Sequence, residues 1–326
     1  MIITRTPIRL SLFGGGTDYP DYFMRKGGLT LSMAINKYSI IVINENKNNF
    51  TDNFILSYRK KEKVKKISKI KHNSVKSCLK FFKIKNFLEI HYISDIPAMT
   101  GLGSSSSFTV GLLKGLYKLK NKKISNLSIG KNAIYVEQKL NKERVGCQDQ
   151  ISCAMGGLSI IKYKKKKIFH KKFEIEKKRL NSIISNLLLF YTGKTRLADK
   201  VLIEQTKRTK NKKNDVYLNK IKKITSNTIK KLKNSNVNLD FIGKNMNECW
   251  NLKKKLSSKV TNMQIDFLYQ KAINNGALGG KILGAGSGGF LLFYVPKNKQ
   301  KLVINKLSNL KLVKFKIDNL GSSIIK

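Results

Sequence analysis

The chain has 326 residues, 41% of them apolar, and carries 66 Lys and Arg against 19 Asp and Glu, a net +47. That length is enough for two domains with a sizeable core, and without a run of about eighteen apolar residues no membrane-spanning helix is expected. Four cysteines without a CxxC pair and three distant histidines argue against a zinc site or a disulfide framework, and point to a reducing cytoplasm.

Strands are predicted at 2–13, 38–44, 54–58 and 87–94, where apolar residues alternate or β-branched and aromatic residues cluster. Helices follow at 105–120 and 126–140, the second with Ile129, Ala133, Val136 and Leu140 at helical spacing. A short helix at 146–155 ends at Gly156-Gly157, and 157–163 reads as a strand. The lysine-rich run YKKKKIFHKK (163–172) reads as a solvated hairpin. Beyond it come a strand at 186–192, a mostly helical 197–232, helices at 240–256 and 261–275, and two strands around a glycine loop at 279–295. A helix near 298–309 and a strand near 311–317 follow. The pattern is α+β in two layers, with domains expected at 1–175 and 176–326.

The charge invites a nucleic-acid-binding reading. The excess is mostly lysine, however, spread along the chain among many Asn and Ile, as an A/T-rich coding sequence would favour. A dedicated binder concentrates arginine and aromatics in one region. Sequence-selective binding that survives physiological salt would mark that rival reading. No specific nucleic-acid partner and no membrane are expected, and a homodimer is left open.

The chemistry concentrates in glycine loops. PAMTGLGSSSSFTVGLLKGLY (97–117) follows a strand and runs into a helix with Val110, Leu113 and Tyr117 on one face, so it is no disordered linker. Glycines let a backbone approach an anion, and a helix start presents free N–H groups to it. One serine and one glycine would satisfy a capped turn; four serines after Gly-Leu-Gly go beyond it. The loop is not a Walker A motif, because GxxxxGK[ST] is absent, and the protein-kinase signatures are absent too. Asp149, between Gly146 and Gly156, suits a group that accepts or orients a hydroxyl proton during phosphoryl transfer, although a helix-start aspartate is the plainer alternative.

At this point the chain resembles the GHMP small-molecule kinases. Pro97 to Ser105 spells their Pro-x-x-x-Gly-Leu-Gly-Ser-Ser motif, RLSLFGGGTDYP (9–20) is similar to the substrate-binding motif, and KILGAGSGGF (281–290) to the third glycine motif. VGCQDQISCAMGG (145–157) looks like the segment that carries the catalytic aspartate. The resemblance runs from end to end of the chain. It implies a ribosomal protein S5 domain 2-like N-terminal domain, a ferredoxin-like C-terminal domain, and ATP with Mg²⁺ between them. It makes Asp149 and Arg9 the catalytic pair, with Pro97, Gly101, Leu102, Gly103, Ser104, Ser105, Ser106 and Ser107 around the nucleotide. Glu137 with Ser104 or Ser105 would hold the metal. Gly15, Gly16, Thr17, Asp18, Gly284, Gly286 and Arg196 fall to the substrate.

GGGTDYP with GCQDQISCAMGGL looks most like the sugar 1-kinase branch that acts on D-glycero-D-manno-heptose 7-phosphate, giving the 1,7-bisphosphate. YTGKTRLA (191–198) also resembles the fucokinase branch, while Gly15-Gly16 replace the Glu-His of the galactokinase form. The resemblance therefore implies phosphorylation of an anomeric hydroxyl of a sugar or sugar phosphate. Apart from Asp18, the sequence does not show which residues bind the sugar hydroxyls.

Overall fold

The N-terminal segment forms strand β1 (Ile2–Phe13), every residue of which is buried from Thr6 onward. It pairs antiparallel with β2 (Gly28–Glu45) in three registers: Ile2 to Pro7 face 38–43, Ile8 to Ser11 face 32–35, and Phe13 faces Leu31. Pro7 stands at the first shift, where a missing N–H is tolerated. The bulge bends the strand and re-aims the residues that follow, Arg9 among them.

The computed structural model describes residues 1–46, 52–165, 167–193 and 198–326. Between and after the first two strands come α1 (Pro20–Lys26), β3 (Phe54–Ser57), β4 (Lys61–Val64), α2 (Asn73–Phe81), β5 (Leu88–Ser94), α3 (Ser104–Leu119), α4 (Asn126–Tyr135) and α5 (Gln148–Met155), then the hairpin β6 (Leu158–Lys164) and β7 (Lys167–Lys172). The hairpin is the lysine-rich run, its described lysines exposed as expected. A second unit holds α6 (Lys177–Ser185), β8 (Leu187–Tyr191), α7 (Ala198–Lys210), α8 (Asp215–Leu232), α9 (Phe241–Lys254), α10 (Met263–Asn274), β9 (Gly279–Ile282), β10 (Phe290–Tyr294), α11 (Lys297–Lys306) and β11 (Lys311–Leu312). Its strands run in the order β11-β8-β10-β9, antiparallel throughout, which is the ferredoxin-like arrangement. The chain then returns: Ile317 bridges to Ile35, and β12 (Ser323–Ile324) pairs with β1 as an edge strand of the first sheet.

Four departures from the sequence reading have physical causes. The helical stretch 197–232 is two helices, broken where the buried Asn214 amide donates to the Gln205 and Leu256 carbonyls. The strand expected at 311–317 pairs only over Lys311–Leu312 before the chain leaves for the first sheet. The helix expected through 140 gives way to a π turn at Val136–Leu140. The segments α1, α2 and α6 are helices of seven to nine residues whose apolar faces are diluted by lysine and asparagine.

On one face of the first sheet, Ile41, Ile43 and Ile90 pack against Val75 and Leu79 of α2 and Leu112 and Leu116 of α3. On the other, Leu10, Leu31 and Met33 join Leu218 and Ile221 of α8, Met246 of α9, and Leu189 and Leu292 of the second sheet in one core. The two units therefore share buried surface. Gly14 ends β1 at φ +83°, and a Cβ there would stand 2.0 Å from the Leu29 carbonyl oxygen. Gly14→Ala is expected to cost at least about 2 kcal/mol of stability, read as a lower urea midpoint, because neither backbone can give way.

Candidate active site

A cavity of about 680 Å³ opens between the two units. On its N-terminal side the bulged β1 presents Arg9, which is 3% exposed. Its backbone N–H donates to the Leu102 carbonyl at 3.1 Å, which ties the glycine loop to the strand. Its guanidinium donates from Nε and Nη2 to the two Asp149 carboxylate oxygens, at 2.8 and 2.6 Å, and from Nη1 to the Gly101 carbonyl at 2.9 Å. Burial works to lower the Arg9 pKa, but the charge and hydrogen bonds of Asp149 outweigh it and the net shift is upward. A guanidinium has five N–H donors, so two remain for a ligand. Asp149 sits in the first turn of α5, and its side chain is 31% exposed. The two residues proposed for catalysis thus meet in one bidentate pair at the cavity wall.

The glycine loop turns into α3 through Gly103, the residue before the helix, at φ +74°. A side chain there would be strained and would press on Arg9, whose Cγ is 3.3 Å from the Cβ position. Of the eight residues expected around the nucleotide, Gly101, Gly103, Ser104 and Ser105 line the cavity. The other four shape the loop instead. Leu102 is in the core, Pro97 is exposed with its carbonyl taking the Thr100 hydroxyl, and Ser107 donates to the Thr6 carbonyl. Ser106 donates to Glu137 at 3.0 Å. The first turn of a sixteen-residue helix leaves its N–H groups available to an anion.

Glu137 lies on the π turn, a geometry often found at functional sites. It is fully buried, and both Ser106 and Gln150, the latter at 2.6 Å, donate to the same oxygen, Oε2. Oε1 has no partner. Burial, and after it the charge of Glu143, push the Glu137 pKa up to about 8. An orphaned carboxylate oxygen beside a second carboxylate is a donor set that a hard divalent cation would relieve. Magnesium retains waters and phosphate oxygens, so it asks for only one or two protein ligands; among the described residues no group of three or more His, Cys, Asp or Glu could hold a metal. The carboxylate chemistry suits the ion, with Ser106 and not Ser104 or Ser105 as the serine touching Glu137, but Glu137 and Ser106 stand behind the cavity wall and do not line it.

At the acceptor end, Gly15, Gly16 and Asp18 line the cavity. Asp18 is 5% exposed and accepts from the backbone N–H groups of Gly16 at 3.0 Å and Gln148 at 3.3 Å. Burial, then the charge of Asp149, raises its pKa to about 6. Thr17 leaves the substrate set: its hydroxyl donates to the Gly14 carbonyl and accepts from the Leu29 N–H, bracing the turn. Gly284 lines the cavity, and its carbonyl accepts from Lys253 Nζ at 2.5 Å. Gly286 instead packs against the Val260 backbone. Arg196 lies outside the described residues. Gln148, Gln205 and Lys281 line the cavity without having been singled out in the sequence.

The GHMP kinases N terminal domain family matches residues 73–157, and the GHMP kinases C terminal family matches residues 234–311. The chain is 30% identical over 321 residues to a D-glycero-alpha-D-manno-heptose 7-phosphate kinase of Campylobacter jejuni, covering 94% of this chain and 93% of that one. It is 27% identical over 328 residues to a mevalonate kinase of Methanocaldococcus jannaschii, covering 94% and 96%. Among solved structures it is similar to a D-glycero-D-manno-heptose 1-phosphate kinase from Bacteriodes thetaiotaomicron, with a TM-score of 0.80 at 20% identity over 100% and 99% of the chains. With both halves of the family matched in order, and a relative this alike along nearly its whole length, the chain belongs to the GHMP kinases and is an ATP-dependent phosphotransferase.

Proposed function

We propose that the protein transfers the γ-phosphoryl group of ATP to the anomeric hydroxyl of a sugar or sugar phosphate, with D-glycero-D-manno-heptose 7-phosphate the first acceptor to test. The observation that carries this reading is the Arg9–Asp149 pair, set in one cavity with the N-terminus of α3 and the buried carboxylate of Asp18. A Campylobacter relative named for that heptose supports the choice of acceptor.

Asp149 accepts or orients the proton of the attacking hydroxyl, and a positioned base of this kind contributes about 10²–10⁴ in rate. Arg9 fixes the Asp149 carboxylate through two hydrogen bonds and brings positive charge to the oxygen that loses the proton. The N–H groups at the start of α3, with Gly101, Gly103, Ser104 and Ser105, hold the nucleotide phosphates. Glu137, with Ser106 or a rim serine beside it, would hold Mg²⁺, which neutralises phosphate charge when bound. Asp18 accepts hydrogen bonds from sugar hydroxyls and keeps the acceptor in line with the phosphorus.

The test is a panel of heptose 7-phosphate, heptose 1-phosphate, fucose, galactose and mevalonate, each incubated with Mg²⁺ and ATP and followed by phosphorus NMR. A new phosphate on an anomeric oxygen is expected for the heptose 7-phosphate, with fucose second. Absence of transfer to any anomeric oxygen overturns the reading.

A further inference from the structure

Lys281 is a cation of the cavity that the phosphoryl-transfer roles above do not use. It stands on β9 opposite Leu292 of β10, lines the cavity, and is 5% exposed. Its Nζ donates to the Leu12 carbonyl of β1 at 3.2 Å, reaching from the second unit to the first. An ammonium has three N–H donors, so two are left. Among the described residues it forms no ion pair. Burial lowers its pKa to about 8, with Arg9 pushing the same way and Cys249 and Asp18 pushing against.

An apolar side chain of equal length would tie β9 to β1 at less cost than a buried ammonium, whose desolvation is several kcal/mol. The cavity holds the complement. Asp18 accepts from two backbone N–H groups and, as a carboxylate, has capacity for more. A buried donor and a buried acceptor on one cavity suit a group that both accepts and donates, which is what a hydroxyl does. A phosphate in the same place would set its charge against Asp18.

On the sugar-kinase reading above, we propose that Lys281 is an acceptor-positioning residue whose ammonium, together with the Asp18 carboxylate, binds a hydroxyl of the sugar other than the one that receives phosphate. The assignment adds a charged side chain of the second unit to acceptor recognition, so that the acceptor is held from both sides of the seam.

The test uses the whole protein with Lys281→Met and Lys281→Gln, the second keeping a donor at shorter reach, and a series of monodeoxy acceptors. Lys281→Met is expected to raise the acceptor KM about 10–100-fold, as for loss of a charged hydrogen bond, with the ATP KM unmoved. For one monodeoxy acceptor, wild type should lose a similar factor while Lys281→Met loses little more, and Lys281→Gln should recover part of the affinity. If the methionine variant does not fold, the glutamine variant carries the same comparison. An equal penalty on every deoxy acceptor would make Lys281 a structural tie, and a penalty confined to phosphorylated acceptors would make it a phosphate ligand; either overturns the proposal. A wild type active on no sugar overturns the sugar-kinase reading and this assignment with it. An active wild type whose acceptor KM is unmoved in both variants overturns the assignment of Lys281 alone.

Discussion

Asp149→Asn is expected to cut turnover at least about 100-fold, while ATP binding, measured by calorimetry, changes little. Asparagine keeps the shape but cannot take the proton. It also sets an amide N–H₂ against one of the two Arg9 donors that now bind the carboxylate at 2.8 and 2.6 Å, so Arg9 loses one hydrogen bond and its counter-charge together. The nucleotide phosphates are assigned to the α3 start and the glycine loop, neither of which contains Asp149. The side chain is 31% exposed, so its loss should leave the fold intact, which circular dichroism would verify. Near-normal turnover in a folded Asp149→Asn would remove the catalytic assignment and leave the residue as a helix-start aspartate. The kinase assignment would survive that result.

Glu137→Gln is expected to make the metal-free protein more stable and the enzyme worse. The folded-state pKa of Glu137 is raised to about 8 from 4.5, by burial and then by Glu143. A raised carboxyl favours the fold fully below its unfolded pKa, and that contribution is lost as pH climbs through the folded value. At about 1.36 kcal/mol per unit, the cost at pH 7 is about 3 kcal/mol. A neutral glutamine escapes it while still accepting from Ser106 and Gln150. An unpaired amide replaces an unpaired oxygen, so a net gain of about 1–3 kcal/mol is expected at pH 7–8, fading toward pH 4. Thermal melts at the two pH values measure it. Equal melting points at pH 8 would show that the carboxylate carries no such penalty. On the proposed metal role, the variant should need more Mg²⁺ to reach half-maximal rate, because an amide N–H₂, a donor only, stands where the unpartnered oxygen was.

The glycine loop and the two residues proposed for catalysis were each legible as local motifs, whereas the pairing of Arg9 with Asp149, 140 residues apart, came only with the fold. GLGSSSS leading into an apolar helix, and an aspartate between two glycines, announce themselves in a dozen residues each. Glu137 was named only through the family resemblance, and its contact with Ser106 was not foreseen, since that depends on a π turn that spacing does not encode. Thr17 looked like a ligand because it stands next to Asp18; in the fold its hydroxyl bonds the backbone across the turn. Lys281 was hidden among 66 cationic residues, and only burial singles it out. Strand β2 was half seen: 38–44 shows alternation, whereas Thr30 and Ser32 are polar yet buried, hydrogen-bonded to Tyr163 and Ser152. The short helices escaped because seven to nine residues hold only two turns of pattern, and lysine interrupts it.

The return of the chain to the first sheet sets an order on biosynthesis. β12 hydrogen-bonds to β1 through Thr4 and Arg5, and the Ile3 N–H donates to the Lys326 carbonyl at 2.8 Å. β1 therefore has an edge that stays open until some three hundred further residues have been translated, the entire second unit included. An unpaired edge is a template for pairing with other chains. The nascent protein carries that exposure while the residues between them are made, and β1, whose bulge positions Arg9, takes its last partner only when β12 emerges. The chain cannot finish its catalytic sheet before it has made the unit that holds the other wall of the cavity.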